Sequence, residues 1–232
     1  MDSELIVEQL FPQLITGNRA TARATAEQII ATGVSPETLT HEGYWPLLDM
    51  INTLHRNDQL TSLAHHYSTR LLRSMVDQAQ ALYTQKERRN RRVMLFCAET
   101  EADDLAAQIV ADLVEADGYE MFFGGGGVAW DEVMQEASEQ KPDVLLLFSS
   151  SGRDAPHIRV LIDTIREIGS CPDMQIVVGG GIFNRADGLA EEIGADLWAT
   201  TPGELITKLN DEPARRATAE QRTVGQQRSQ AA

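Results

Sequence analysis

The chain contains only two cysteines in 232 residues, Cys97 and Cys171. Two thiols cannot build the disulfide framework of a small secreted domain or fill a zinc site, so both read as buried free thiols in or beside strands. No apolar run reaches the roughly 18 residues that cross a bilayer. Met1-Asp2-Ser3-Glu4 has no positive region ahead of its apolar residues. Neither a membrane association nor a signal peptide is expected, and a cytoplasmic location follows. Basic residues are scarce: 20 Lys and Arg against 35 Asp and Glu leave a net charge of −15, which excludes a broad nucleic-acid surface. The exception is Lys86-Glu87-Arg88-Arg89-Asn90-Arg91-Arg92, with five cations in seven residues. It reads as a solvated helix end and linker, because helix C-termini favour cations.

What is present is enough apolar residue, 42% of the chain, to bury a sizeable core. From Ser3 to about Arg88 every periodic segment is helical. Leu5-Ile6, Leu10 and Leu14 mark a first helix; Ala22, Ala26 and Ile29-Ile30 mark a second that stops near Gly33. Ser35-Pro36-Glu37 starts a third, with Ser as N-cap and Pro at the first helical position, running to about Arg56. A long fourth carries Leu63, Tyr67, Leu71, Met75, Ala79 and Leu82. Residues 1–88 are therefore expected to form a four-helix bundle.

After Arg92 the pattern changes to short β-type runs alternating with helical stretches, the signature of a parallel sheet covered on both faces. The runs are Val93–Phe96, Tyr119–Phe123, Val144–Phe148, Ile176–Val178 and Leu197–Ala199. The fold class is α/β, with a five-stranded doubly wound domain over 89–210. Gly124 to Gly127 read as a flexible turn after the second strand. Residues 211–232 have almost no large apolar side chain and read as a disordered tail.

Ligands of such sheets bind beyond the carboxyl ends of the strands, where the strand order reverses. With the order 2-1-3-4-5, that point lies between Glu99–Asp104 and Ser149–Asp154, beside Gly179-Gly180-Gly181, whose small residues let a bulky ligand approach closely. The first strand-to-helix turn contains no glycine, so it is not a dinucleotide fingerprint, and no P-loop is present. A receiver domain shares the layout but needs an acceptor Asp after strand three and a Lys after strand five. This chain has Ser149 and Thr200-Thr201 there.

A helical bundle followed by such a sheet resembles the cobalamin-binding module of methionine synthase, corrinoid methyl carriers and CarH-type light sensors, a flavodoxin-like domain under a helical cap. Lys141-Pro142-Asp143-Val144 leading to Ser149 looks like the family's third strand and its serine. Val177-Val178-Gly179-Gly180-Gly181 looks like its glycine turn, and Gly194–Ala199 like its fifth strand. Arg56–Leu60 and His65 are similar to the cap. The resemblance implies that Ser149, Ser151, Gly179 and Gly180 face the cofactor's nucleotide tail.

The departures are equally specific. The family's first loop reads Asp-x-His-x-x-Gly, in which His ligates cobalt from below and Asp hydrogen-bonds that His. Here the matching positions are Glu101, Asp103 and Ala106. The cap's Trp and Glu positions hold Leu54 and Ala64. His55 adjoins the former, where light-sensing members place a metal-ligating histidine. His41, His66 and His157 read as surface residues.

These residues imply cobalamin, or another tetrapyrrole, in a sensory or regulatory protein that acts through a protein partner. A corrinoid methyl-carrier subunit with a methyltransferase partner is the alternative. A degenerate haem-binding module, using His55 or His65, or a pure protein-interaction module are further readings. The contact surfaces of the last would include the 86–92 linker, and homo-oligomerisation is open. An independent enzyme is the least supported reading. Glu99, Glu101, Asp103 and Asp104 could shift one another's pKa or hold Mg²⁺, and equally read as N-terminal acids of a helix.

Overall fold

Short polar side chains set where many of the helices begin. In the computed structural model, which describes residues 2–218, Asn18, Ser35, Thr61, Thr100 and Thr201 each accept a hydrogen bond from a first-turn backbone N–H. Each such cap contributes about 1 kcal/mol. The chain divides into two units, Met1–Gln85 and Lys86–Ala232.

In the first unit, helices α1 (Ser3–Thr16), α2 (Arg19–Ala31), α3 (Pro36–Leu39), α4 (Trp45–Arg56) and α5 (Ser62–Gln80) pack around Ile6, Leu10, Leu14, Leu47, Ile51 and Leu72, all fully buried. The sequence predicts one helix over 35–56. The structure joins α3 to α4 through a π-helical turn, Thr40–Tyr44. Pro46 supplies a reason: it has no N–H to donate, and the wider turn absorbs the missing bond without ending the helix. Within the core, the Tyr83 hydroxyl donates to Thr40 Oγ1 at 2.6 Å.

The second unit is a five-stranded parallel sheet of order β2-β1-β3-β4-β5: β1 (Arg92–Cys97), β2 (Glu120–Gly126), β3 (Val144–Phe148), β4 (Gln175–Gly179) and β5 (Leu197–Ala199). The intervening helices are α6 (Glu101–Ala116), α7 (Trp130–Gln140), α8 (Ala155–Ile168), α9 (Gly181–Arg185), α10 (Leu189–Glu192) and α11 (Pro202–Asp211). β3 and β4 are buried along their whole length, as their continuous apolar runs require. Each fully buried aliphatic there contributes about 1.5–3 kcal/mol.

β2 differs from the expectation in two ways. It is an edge strand with Phe122 and Phe123 exposed, and it continues through Gly124, Gly125 and Gly126. Its pairing with β1 jumps from Leu95↔Phe123 to Phe96↔Gly125, leaving Gly124 in a bulge. A Cβ on Gly124 would lie 2.4 Å from the Phe96 ring. Gly124 to Gly126 are strand, not flexible turn, and Gly127 follows as a bend: glycines have no side chain to register as a periodic pattern, and Gly124 makes room for Phe96.

The basic segment is exposed, as a solvated linker should be, but several of its cations have fixed partners. Arg89 pairs with the buried carboxylate of Asp117 at 2.8 Å, and Lys86 pairs with it too. Arg89 and Arg91 lie over the Tyr119 ring, at 5.5 and 5.7 Å. Burial acts to raise the Asp117 carboxyl, but hydrogen bonds from Lys86 and Asn210 and the Arg89 charge outweigh it and hold the group below the usual carboxylate range. A folded-state pKa below the unfolded value of roughly 3.9 stabilises fully above that value and is lost as pH falls through the folded pKa. Asp117→Asn should therefore lower stability at neutral pH and flatten the acid limb of a urea-unfolding profile below pH 4. An unchanged acid limb would contradict the pairing.

Beyond Asn210, where the composition predicts a tail, residues 211–218 still engage the sheet unit. Arg215 lies 4.8 Å from the Trp198 ring, and the buried Ala217 donates its N–H to Asp196 Oδ1 at 2.7 Å. Polar and small residues hold here because Asp196 and Trp198 supply their partners. The remainder of the expected tail, 219–232, lies outside the described residues.

Candidate functional site

The carboxyl ends of β1 and β3, the two strands on either side of the order reversal, open onto a cavity of about 490 Å³. This falls in the roughly 300–1,000 Å³ range of small-molecule sites. Phe96, Leu147, Phe148, Val128, Trp130 and Ile158 form its apolar wall. Its polar side comes from the two loops the topology predicts: Glu99 and Thr100 after β1, and Ser149, Ser151, Arg153 and Asp154 after β3. His157, in the first turn of α8, is exposed but also lines it. Sequence reasoning missed Phe96, Trp130 and His157 as cavity residues, because nothing in their spacing indicates which way they face.

Ser149 is the hub of the β3 loop. Its hydroxyl donates to Asp154 Oδ2 at 2.6 Å and accepts from the Ser151 backbone N–H at 3.1 Å, and its own N–H donates to the Gly179 carbonyl at 3.0 Å. Ser151 Oγ accepts from Arg153 N at 3.3 Å. Gly180 has φ +102° and ψ 169°, and a Cβ there would lie 2.3 Å from the Ser149 carbonyl oxygen. That crowding comes from the neighbouring loop of the protein itself. Gly179 is under no such pressure, since a Cβ there would first meet Phe148 at 3.6 Å.

The β1 loop is short because α6 starts early. Thr100 is the N-cap, and its Oγ1 accepts from Asp103 N at 3.0 Å while donating to Asp103 Oδ2 at 2.6 Å. The Thr-x-x-Asp spacing is that of a capping box, a signal present in the sequence, but here the carboxylate accepts from the Thr100 hydroxyl and not from its backbone N–H. Asp103 is 1% exposed and also takes hydrogen bonds from the Ser150 side chain and backbone. Burial pushes its carboxyl up, the hydrogen bonds from Thr100 and Ser150 oppose this, and the charge of Asp154 adds to the rise. Glu101 stands at the first position of α6, half-buried, and Ala106 faces the core.

In the helical unit the C-terminal end of α4 meets the start of α5. The His55 and His65 rings stack at 4.2 Å with 23° between planes, and His65 Nε2–H donates to Asn52 Oδ1 at 3.0 Å. Leu54 beside them is half-buried. Nearly parallel rings direct their in-plane lone pairs along separate planes, so these two imidazoles do not converge on one ion. Among the described residues no group of three or more His, Cys, Asp or Glu is arranged to hold a metal ion. No helix among them is long and apolar enough to cross a membrane.

As a cofactor site the sheet unit fits one half of a cobalamin better than the other. The cavity, with aromatic walls and a polar rim, suits a flat heteroaromatic base and its sugar. The β1 loop, in contrast, offers no nitrogen, and the carboxylate that replaces it is turned inward onto Thr100 and Ser150.

Comparison with known proteins bears on the same unit. The B12 binding domain model matches residues 91–207, half of the chain. Dimethylamine corrinoid protein 3 of Methanosarcina mazei is 26% identical over 113 residues, 49% of this chain and 66% of that protein. Dimethylamine corrinoid protein 1 of Methanosarcina acetivorans is 25% identical, and its match spans only about half of its own length, 52%. Trimethylamine corrinoid protein 2 of Methanosarcina acetivorans is 21% identical over 194 residues, 81% of this chain and 87% of that protein. Among solved structures, the Methanosarcina barkeri monomethylamine corrinoid protein is similar in fold, with a TM-score of 0.75 at 19% identity over 88% of this chain and 96% of that one. Since the family match covers every strand of the sheet and both loops of the cavity, the chain belongs to the B12-binding domain family, and cobalamin is its cofactor.

Proposed function

We propose that the chain is a corrinoid carrier that works with a methyltransferase partner. The observation that carries this reading is the extent of the similarity to trimethylamine corrinoid protein 2. At 194 residues it is longer than the sheet unit and so takes in part of the helical unit as well. In such a role the cobalt centre, when bound, accepts and gives up the methyl group. The protein's part is to hold the cofactor by its periphery and to expose it to a partner. Ser149, Ser151 and Gly180 shape the loops beside the cavity, and Phe96, Phe148 and Trp130 offer faces on which an aromatic base stacks.

The sequence alone placed a sensory or regulatory protein ahead of a carrier because the lower histidine is missing. The relatives favour the carrier. One observation still supports the regulatory reading: the inward-turned Asp103 removes the nitrogen ligand that usually takes part in cobalt chemistry.

The test begins with the purified chain incubated with cobalamin and passed through gel filtration. A red chromophore is expected to elute with the protein. The reduced, loaded protein is then mixed with a methylamine and its methyltransferase, and the methylcobalamin spectrum is expected to develop. A loaded protein that no mono-, di- or trimethylamine system methylates would favour regulation, and no co-eluting colour would sink both readings.

A further inference from the structure

The chain that joins the two units is held from both sides. On the helical side, Tyr83 is buried and its hydroxyl donates to Thr40 Oγ1 at 2.6 Å. The backbone N–H of the next residue, Thr84, donates to Glu37 Oε1, and its side chain bonds the same carboxylate.

On the sheet side the hold begins at Lys86. Its N–H donates to the Ala116 carbonyl at 2.8 Å, and its ammonium pairs with Asp117. Glu87 then lies against the turn after α6: a Cβ on Gly118, at φ +96°, would stand 2.1 Å from its carbonyl oxygen. Arg89 donates its N–H to the Gly118 carbonyl at 2.8 Å and its Nε–H to the Asp117 carbonyl at 2.7 Å. Arg91 reaches the Leu209 carbonyl at 2.8 Å, and β1 starts at the following residue. A run with the composition of a linker is thus fastened along its length.

Between these two holds stands Gln85, the last residue of the helical unit. It is exposed and makes no hydrogen bond to any of the described residues. Planar peptides leave each residue only φ and ψ to turn. With the amides of Thr84 and Lys86 both fixed, the soft bonds that remain are ψ of Thr84 and φ and ψ of Gln85.

We propose that Gln85 is the joint of the molecule: the two units swivel about this one residue, and the basic run 86–92 moves with the sheet unit as a rigid arm. The reach of such a joint is short. From Thr84 to Lys86 the chain spans at most about 7 Å, whereas a free run from 85 to 91 has a root-mean-square span of about 15 Å. The units therefore reorient without parting. This holds whatever the cofactor or partner, so failure of the carrier reading leaves it standing.

Amide hydrogen exchange of the full chain, read residue by residue by nuclear magnetic resonance, tests the hold. The Lys86 and Arg89 amides are expected to exchange at least about 100-fold more slowly than the Gln85 amide. Equal rates would make the joint as long as the basic run and overturn the assignment.

The swivel is tested by double electron–electron resonance between spin labels at Glu27→Cys and Glu136→Cys, both exposed, in the chain carrying Cys97→Ala and Cys171→Ala. Gln85→Pro removes no hydrogen bond, fixes φ at 85 and restricts ψ at 84, so it should narrow the distance distribution. Lys86→Ala combined with Arg89→Ala strips the side-chain holds of the arm, and Gly118→Ala pushes Glu87 off the turn. These variants should broaden the distribution about twofold, in line with the longer free run. A distribution that Gln85→Pro leaves unchanged would overturn the joint, and one that neither releasing variant broadens would overturn the rigid arm.

Discussion

Asp196→Ala is expected to destabilise the sheet unit by about 3–5 kcal/mol, the range seen when one partner of a buried ion pair is removed. Asp196 is 2% exposed and accepts three bonds of 2.7 Å: from the Ile176 N–H, from the Ala217 N–H and from the Arg166 guanidinium. Truncation leaves two backbone donors and a mostly buried cation without their acceptor, and each orphaned donor carries its full desolvation penalty. It also frees the segment around Ala217, which this carboxylate ties to the edge of β4. Asp196→Asn retains one acceptor oxygen and should fall between the wild type and the alanine variant. Urea titration followed by far-ultraviolet circular dichroism measures all three. An alanine variant within 1 kcal/mol of wild type would mean that this network carries little of the unit's stability.

Gly180→Ala should cost about 3 kcal/mol, from two additive causes. The backbone at φ +102°, ψ 169° belongs to a region used almost solely by glycine, with a strain of about 1–3 kcal/mol for other residues. The added methyl would also stand 2.3 Å from a carbonyl oxygen of the β3 loop, a backbone atom that cannot swing away. Gly179→Ala provides the internal comparison. It adds the same methyl one residue earlier, where the first contact is an ordinary 3.6 Å to Phe148, and it should be far milder. Equal effects of the two substitutions would refute the close approach of the β3 and β4 loops. Since Ser149 is displaced in the Gly180 variant, its cobalamin affinity should fall in parallel with its stability.

The two glycines illustrate what a sequence can and cannot say about this site. That Gly179-Gly180-Gly181 stands at a strand end is plain from the apolar run before it, and the reversal of strand order places it beside the other two loops. The direction from which each glycine is crowded is not plain, because it depends on a loop 30 residues earlier in the chain. A reading that expects room for a ligand at Gly180 therefore finds the protein's own Ser149 carbonyl in that space.

Asp103 is a similar case. Its position opposite the family's histidine is legible by laying the Asp-x-His-x-x-Gly pattern on Glu101, Asp103 and Ala106 after the first strand. The Thr100-x-x-Asp103 spacing of an N-cap is equally legible, and it says the helix starts before the expected ligand. Only the folded loop shows both bonds made and the carboxylate buried against Ser150. The basic run 86–92 follows the same rule: its charge is evident in the sequence, but its partners Asp117 and Tyr119 lie a helix away.

By itself the sequence determined the α/β class, the helical N-terminal unit, the five strands and the strand-end loops. These follow from local periodicity, from caps, and from the fact that apolar runs of five residues must be buried on both faces. It also determined that no histidine stands in the first loop. Only the tertiary structure decided that Asp103 turns inward, that Phe96, Trp130 and His157 share one cavity, that β2 runs on through glycines, and that Asp196 holds residues near 217. Each of these depends on contacts between segments distant in the chain, where direction and packing, not composition, decide which groups meet.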